Sequence, residues 1–289
     1  MIRKKFYKNV ELKSLPELKS FKDLNKESPQ ISTNALCENI KNIVLINTPT
    51  RKNEYDIPLK GSTEVDMYKK LSENSIDVGI CAEHCKNIIY IKNNNEKIKA
   101  LCAKLATNLK NLNNVTDVGD NHKDKCSNLK YWTYDQIFDI FSIEGKFTNN
   151  PSIINKINQL IFLVNEELDA DKKCTFYVDV SYTDWDKERD LYYYFLNFDS
   201  LSNVKDDDAE NKKHCDYLKY ISDIYKENIK NCCVRYIRPN EYIGNKCLYF
   251  FNCNKKYYPI DLMSKLKCEN IEYKESVKDI FDSITVDLN

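Results

Sequence analysis

The chain has 289 residues, 42% hydrophobic and 30% charged, enough for a packed core and inconsistent with disorder throughout. Lysine plus arginine and aspartate plus glutamate both total 44, so the formal charge is zero and a globally basic nucleic-acid binder is excluded. The 5 scattered glycines form no GxGxxG or P-loop signature, and GxSxG and HExxH are also missing, which removes the common nucleotide-binding and hydrolase motifs.

In chain order, Leu15–Asn25 (LPELKSFKDLN) reads as a helix with Pro16 at an early position, where its missing N–H costs little. Residues 30–75 are polar and broken by Pro49, Pro58 and Gly61; they are predicted to be irregular, with one short helix near Val65–Leu71. Ile98, Leu101, Cys102, Leu105, Leu109 and Leu112 then recur at helical spacing. The asparagines at 93–95 separate this helix from one that carries Cys81 and Cys85. The lysines of Lys97–Lys110 read as a solvated face. Residues 113–125 are a polar linker with Gly119 and a glycosylation sequon in form, Asn114-Val115-Thr116.

The stretch CSNLKYWTYDQIFDIF (126–141) concentrates aromatic residues. Leu129, Trp132, Ile137, Phe138 and Phe141 make a broad helical stripe, widened by Tyr131 and Tyr134. Such a helix must be covered on most sides, so Tyr131, Trp132, Tyr134, Phe138 and Phe141 are predicted to be core and not a ligand surface. Gly145 and Pro151 mark a turn. Ile153, Ile157, Leu160, Ile161, Val164 and Leu168 define the next helix. Thr183 is the expected N-cap of another, with Asp186 three residues on, carrying Leu191, Tyr194, Phe195 and Phe198. Asp206–Asp208 reads as a solvated turn before a clear stripe at Leu218, Ile221, Tyr225, Ile229 and Cys232. Beyond Arg238 the pattern breaks around Pro239, Gly244 and Pro259.

The predicted fold class is all-α: a disulfide-stapled helical bundle with irregular loops and a Cys-rich C-terminal segment. No repeat or flexible linker divides the chain. The expectation is a single composite domain over 1–289, with an N-terminal helix region (1–30), a main bundle (76–233) and a Cys-rich segment (234–289) packed on it. Apolar runs such as Ile157–Val164 fall far short of the roughly 20 residues a spanning helix needs. The basic N-terminus lacks the apolar core of a secretory signal.

The 12 cysteines are Cys37, Cys81, Cys85, Cys102, Cys126, Cys174, Cys215, Cys232, Cys233, Cys247, Cys253 and Cys268. Their even count and density point to disulfides and an oxidising compartment, while the missing signal sequence points to reduced or metal-bound thiols. Complete pairing allows on the order of ten thousand connectivities. Adjacent Cys232 and Cys233 are expected to take different partners, because bridging neighbours is strained. Cys81, Cys85, His122 and Cys126 repeat a four-residue spacing and form the competing zinc set, weakened by the absence of a CxxC knuckle. His84, His122 and His214 each lie near a cysteine, but no orienting motif supports thiol catalysis. No residue is assigned to catalysis, a cofactor or a metal.

LPELKSFKDLN, CSNLKYWTYDQIFDIF, HCDYLKYISDIYKENIKNCC and CNKKYYPIDLMSKLKC occur in this order. Together they resemble the Plasmodium interspersed repeat (PIR) proteins of malaria parasites, in the flavour of the VIR group. The matching positions are Leu129, Tyr131, Trp132, Tyr134 and Asp135, then Cys215 and Tyr217, then Tyr257, Tyr258, Pro259, Leu262, Leu266 and Cys268. The resemblance implies an exported variant surface antigen of the infected red cell, without enzymatic activity or cofactor, engaged in host adhesion or immune evasion by antigenic variation. Its implied partners are host cell-surface proteins or antibodies, with no nucleic acid. It implies membrane attachment through a transmembrane segment that this chain, ending at Asn289, does not contain, so that the chain is expected to be the ectodomain alone or a member lacking the anchor. It carries over no ligand contacts; recognition is expected on the polar stretches 30–75, 113–125 and 199–212, since loops tolerate variation. The competing reading is an intracellular helical scaffold with reduced or zinc-bound cysteines, acting in host-cell remodelling or trafficking.

Overall fold

A computed structural model describes residues 32–46, 63–91, 95–115, 121–143, 146–147, 150–179, 184–203, 208–233 and 247–269. The helix expected over Leu15–Asn25 and the 1–30 region lie outside these residues. The described structure is helical, as the periodicities predict. Strand pairing among the described residues is confined to a two-residue antiparallel ladder, Ser142–Ile143 against Lys146–Phe147.

Helix α1 (Thr33–Ile40) begins at Ser32, whose hydroxyl accepts the N–H of Ala35, and it buries Cys37 and Ile40. Helix α2 (Thr63–Glu73) buries Met67, Tyr68 and Leu71 completely. The described part of 30–75 thus holds two helices where one was expected. At 8 residues, α1 is too short to be stable alone, so its formation rests on packing and on the Cys37 crosslink, which local propensity does not report.

Helix α3 (Val78–His84) is capped by Asp77 through Ile80 N–H. Helix α4 (Lys86–Ile89) follows directly. Helix α5 (Glu96–Asn111) starts at Asn95, whose side chain accepts from Lys97 N–H. It is the hub of this half and packs against α1 to α4, then α6 (His122–Phe141) and α7 (Pro151–Glu166). Ala100, Ala103 and Ala106 are fully buried on it, and their small side chains let neighbouring helices approach from several sides. The solvated-face reading of its lysines fails at Lys104, which is 5% exposed and donates to the carbonyls of Ser72 (2.5 Å) and Asn74 (2.8 Å). Those two carbonyls belong to the C-terminal end of α2 and the residue after it, where helix carbonyls lack an intrahelical donor. Lys104 supplies that donor from the facing helix, and its burial lowers its pKa.

Helix α7 begins with Pro151 behind an Asn150 cap and buries Ile153, Ile157, Leu160, Ile161 and Val164. The chain then doubles back along it, with no sheet partner among the described residues. The Asn165 side chain brackets the backbone of Cys174, donating to its carbonyl (3.0 Å) and accepting its N–H (2.6 Å). Asn158 does the same for Val178 (3.0 and 2.8 Å). Two asparagines thus stand in for a neighbouring strand and satisfy backbone groups that would otherwise be buried unpaired.

The second half comprises α8 (Trp185–Leu196), α9 (Phe198–Ser202), α10 (Asp208–Cys232), α11 (Cys247–Phe250) and α12 (Pro259–Lys265). The α8 N-cap position is Asp184, and Thr183, proposed for that role, lies outside the described residues. Helix α10 packs on α8 and α12, and α8 packs on α6, α10 and α11. The described part of the Cys-rich segment, 247–269, therefore covers α10 and α8 with short elements. Residues 234–246 and 270–289 are not among the described ones.

Candidate functional site

All twelve cysteines are paired and none is free. Cys37–Cys81 joins α1 to α3, and Cys85–Cys102 joins the α3–α4 junction to α5. Cys126–Cys174 ties the first turns of α6 to the segment returning along α7. In the second half, Cys215–Cys268 binds α10 to the end of α12, while Cys232–Cys247 and Cys233–Cys253 fix the C-terminal segment to the end of α10. Neighbours Cys232 and Cys233 take different partners. The cysteines of the competing zinc set, Cys81, Cys85 and Cys126, enter three different disulfides, in line with the disulfide reading. His122 is engaged elsewhere, with Nδ1 2.7 Å from Asn113 Oδ1 and Nε2 3.0 Å from the Lys173 carbonyl. Thiol catalysis loses its nucleophile for the same reason.

The crosslinks fall into two sets, one within 37–174 and one within 215–268, and none bridges the two. Among the described residues, the aromatic stretch of α6 packs on the cysteine-free α8 and joins the halves. Trp132 is fully buried, Tyr131 and Tyr134 nearly so, Phe141 is buried and Phe138 is half-buried. Tyr131 meets Tyr192 and Tyr193 at ring-centroid distances of 5.5 and 6.0 Å. Tyr134 stacks on Trp185 at 5.4 Å. Such pairs contribute about 0.5–1.5 kcal/mol each beyond area burial.

Inside this aromatic wall sits a buried charge pair. Asp135 is 0% exposed and Arg189 1%. Arg189 Nη1 donates to Asp135 Oδ1 at 2.7 Å, and Tyr68 Oη of α2 donates to Asp135 Oδ2 at 2.5 Å. Arg189 also contacts Asp190 Oδ1 through Nε and Nη2, both at 3.0 Å, and its guanidinium lies 5.2 Å from the centre of the Trp185 ring. Tyr220 Oη of α10 closes the chain by donating to Asp190 Oδ2 at 2.7 Å. One network thus runs α2, α6, α8, α10 and spans both halves. Burial pushes the phenols of Tyr68 and Tyr220 upward, and the facing carboxylates Asp135 and Asp190 push them further.

Tyr134 works alongside it. Its hydroxyl donates to the Tyr177 carbonyl (3.2 Å) and accepts from Asp179 N–H (2.9 Å), and burial raises its pKa to about 12. A phenol that ionises near 10 when unfolded and near 12 when folded stabilises the fold fully below pH 10 and loses that contribution as pH rises to 12. Tyrosinate absorbance of the folded chain is therefore expected to rise at higher pH than that of the denatured chain; coincident curves would contradict the buried placement.

The surface offers less chemistry. A polar cavity of about 420 Å³ is lined by residues that include Lys70, Asn74, Thr107 and Asn114. Asn114, first residue of the sequon, is exposed, while Thr116 lies outside the described residues. Of the stretches expected to carry recognition, 33–40, 63–73 and 122–125 are helical, as are 199–202 and 208–212, so their structured parts serve the core or its rim. Residues 30–31, 47–62, 116–120 and 204–207 of these stretches lie outside the described residues. Among the described residues no helix is long and apolar enough to cross a membrane.

Arg189 belongs to no sequence motif, but it is one of five arginines in a chain whose positive charge is otherwise lysine. A scarce arginine next to an aromatic helix suits a buried bidentate role that lysine fills poorly.

The family model described as Plasmodium vivax Vir protein matches residues 63–285. The chain belongs to the Vir protein family. The Vir match takes in α2 through α12, and with them the whole Asp135–Arg189–Asp190 network. Of the six crosslinks, five lie entirely inside the Vir match, while Cys37 and its helix α1 precede it. No curated protein and no solved structure matches this Vir chain.

Proposed function

We propose that this chain is the exported ectodomain of a variant surface antigen, presenting a changeable surface to host receptors and antibodies at the infected red cell. One observation carries the reading: every cysteine is consumed in a crosslink, and the densest aromatic stretch is turned inward. Disulfides persist in oxidising surroundings, and crosslinked halves tolerate substitution on the outside because their stability resides in sulfur bonds and buried rings. Family membership supports the antigen role. No catalysis is proposed. The exposed polar positions of the stretches 30–75, 113–125 and 199–212 are the proposed carriers of variation. The competing scaffold reading loses its zinc-bound cysteines, since pairing leaves no thiolate for a metal.

Antibodies raised against the oxidised domain test the proposal on infected red cells. Labelling of intact, unpermeabilised cells, abolished by prior protease treatment of the surface, is the expected result. Labelling that appears only after permeabilisation would overturn it in favour of an internal location.

A further inference from the structure

A second cluster of polar groups lies away from the aromatic junction, where three helix ends meet. His84 is the last residue of α3, Glu167 the C-cap of α7, and Lys110 belongs to the last turn of α5. The His84 side chain is only 5% exposed, yet its Nε2 has no hydrogen-bond partner. That atom is aimed at two carboxylates, 3.7 Å from Glu83 Oε2 and 3.4 Å from Glu167 Oε2. The three donor atoms lie within 4.8 Å of one another. Both glutamates are reachable from solvent, with side chains 66% and 42% exposed.

A buried imidazole nitrogen without a hydrogen bond is costly, and here two acidic oxygens converge on it. We propose that Glu83, His84 and Glu167 form a binding site for a divalent transition-metal ion, zinc in the first instance. Metal–ligand bonds of 2.0–2.2 Å at tetrahedral angles separate neighbouring ligand atoms by roughly 3.3 Å. The 3.4 and 3.7 Å separations come within a few tenths of an ångström of that spacing before any metal-driven adjustment. One imidazole and two carboxylates suit zinc better than calcium or magnesium, which prefer all-oxygen shells of higher number. Three protein ligands leave the fourth position to water. The adjoining C-terminal ends of α5 and α7 carry partial negative charge, which also favours a cation.

Lys110 Nζ now contacts Glu167 Oε2 and holds that carboxyl below its ordinary range. A dication would replace it as counter-ion or share the carboxylate through its second oxygen. Helix α7 contains no cysteine, so a metal here would crosslink α3 to α7 where no disulfide does. The site differs from the cysteine-based zinc set considered from sequence and leaves every disulfide intact.

The test is calorimetric titration of zinc chloride into tag-free, fully oxidised, chelator-treated chain, with thermal melting beside it. One zinc per chain and a raised melting temperature are expected. His84→Gln and Glu167→Gln should each weaken binding about tenfold or more. His122→Gln should change nothing, and Lys110→Met, which frees Glu167, should tighten binding. Because Glu167 is a partly exposed residue, Glu167→Gln keeps the test decisive if the His84 variant folds poorly. Binding weaker than on the order of 0.1 mM, binding removed by His122→Gln, or binding indifferent to Glu167→Gln would each overturn the proposal.

Discussion

Replacing Asp135 with alanine is expected to lower the unfolding free energy by about 3 kcal/mol, because it takes the shorter of two carboxylate pairings from a buried guanidinium and leaves Asp190 alone to pair it. Arg189 is 1% exposed, so water cannot take over, and Asp190 contacts it only at the longer 3.0 Å separation. Tyr68 loses its acceptor in the same step. The effect should be more than a loss of stability. No disulfide connects the set within 37–174 to the set within 215–268, so a weakened junction should let one half melt before the other. Urea unfolding of the parent should show one transition and that of Asp135→Ala two, the signature of lost cooperativity between parts. A triple variant, Asp135→Leu with Arg189→Met and Asp190→Asn, removes all three charges and should recover much of the loss, since neutral replacement of a whole buried ion cluster is often neutral or better. A cost under about 1 kcal/mol for Asp135→Ala would place the network among surface-like pairs and contradict its junction role.

Removing the Cys126–Cys174 crosslink, by changing both residues to alanine, is expected to cost about 4 kcal/mol. The sequence separation is 48, long enough that the crosslink restrains the unfolded chain substantially. In the native state this bond anchors the segment 173–179, whose backbone groups are held by side chains: His122 at Lys173, Asn165 at Cys174, Asn158 at Val178 and Tyr134 at Tyr177 and Asp179. Amide exchange should therefore accelerate first at Cys174 and Val178, the two N–H groups that those asparagines accept. Chemical denaturation under non-reducing conditions measures the cost. A loss below about 1 kcal/mol, with exchange at those two positions unchanged, would mean that the asparagines alone suffice.

Sequence periodicity captured the helical class because the long helices have wide apolar stripes: Ile153 to Val164 on α7 and Leu218 to Ile229 on α10 are buried as their spacing implies. It failed where burial does not follow residue type. Lys104 looks like one more solvated lysine in a lysine-rich chain, and only the carbonyls of Ser72 and Asn74, some thirty residues away, explain its position. Helix α1 was missed because eight residues carry too little pattern to stand out. The cysteines were visible as a set, but their partners depend on which helix ends meet in space. Asp135 stood in the aromatic motif with no sign of its partner, since Arg189 follows 54 residues later. The metal cluster was invisible for the same reason: Glu83 and His84 are adjacent in sequence, while Glu167 arrives by the packing of α3 on α7.

Peptide mapping of the native protein under non-reducing conditions tests the central claim most directly. The account predicts six linked pairs: Cys37–Cys81, Cys85–Cys102, Cys126–Cys174, Cys215–Cys268, Cys232–Cys247 and Cys233–Cys253. It predicts no free thiol and no peptide that joins a cysteine of the first half to one of the second. Unpaired cysteines, or a crosslink running between the halves, would contradict it.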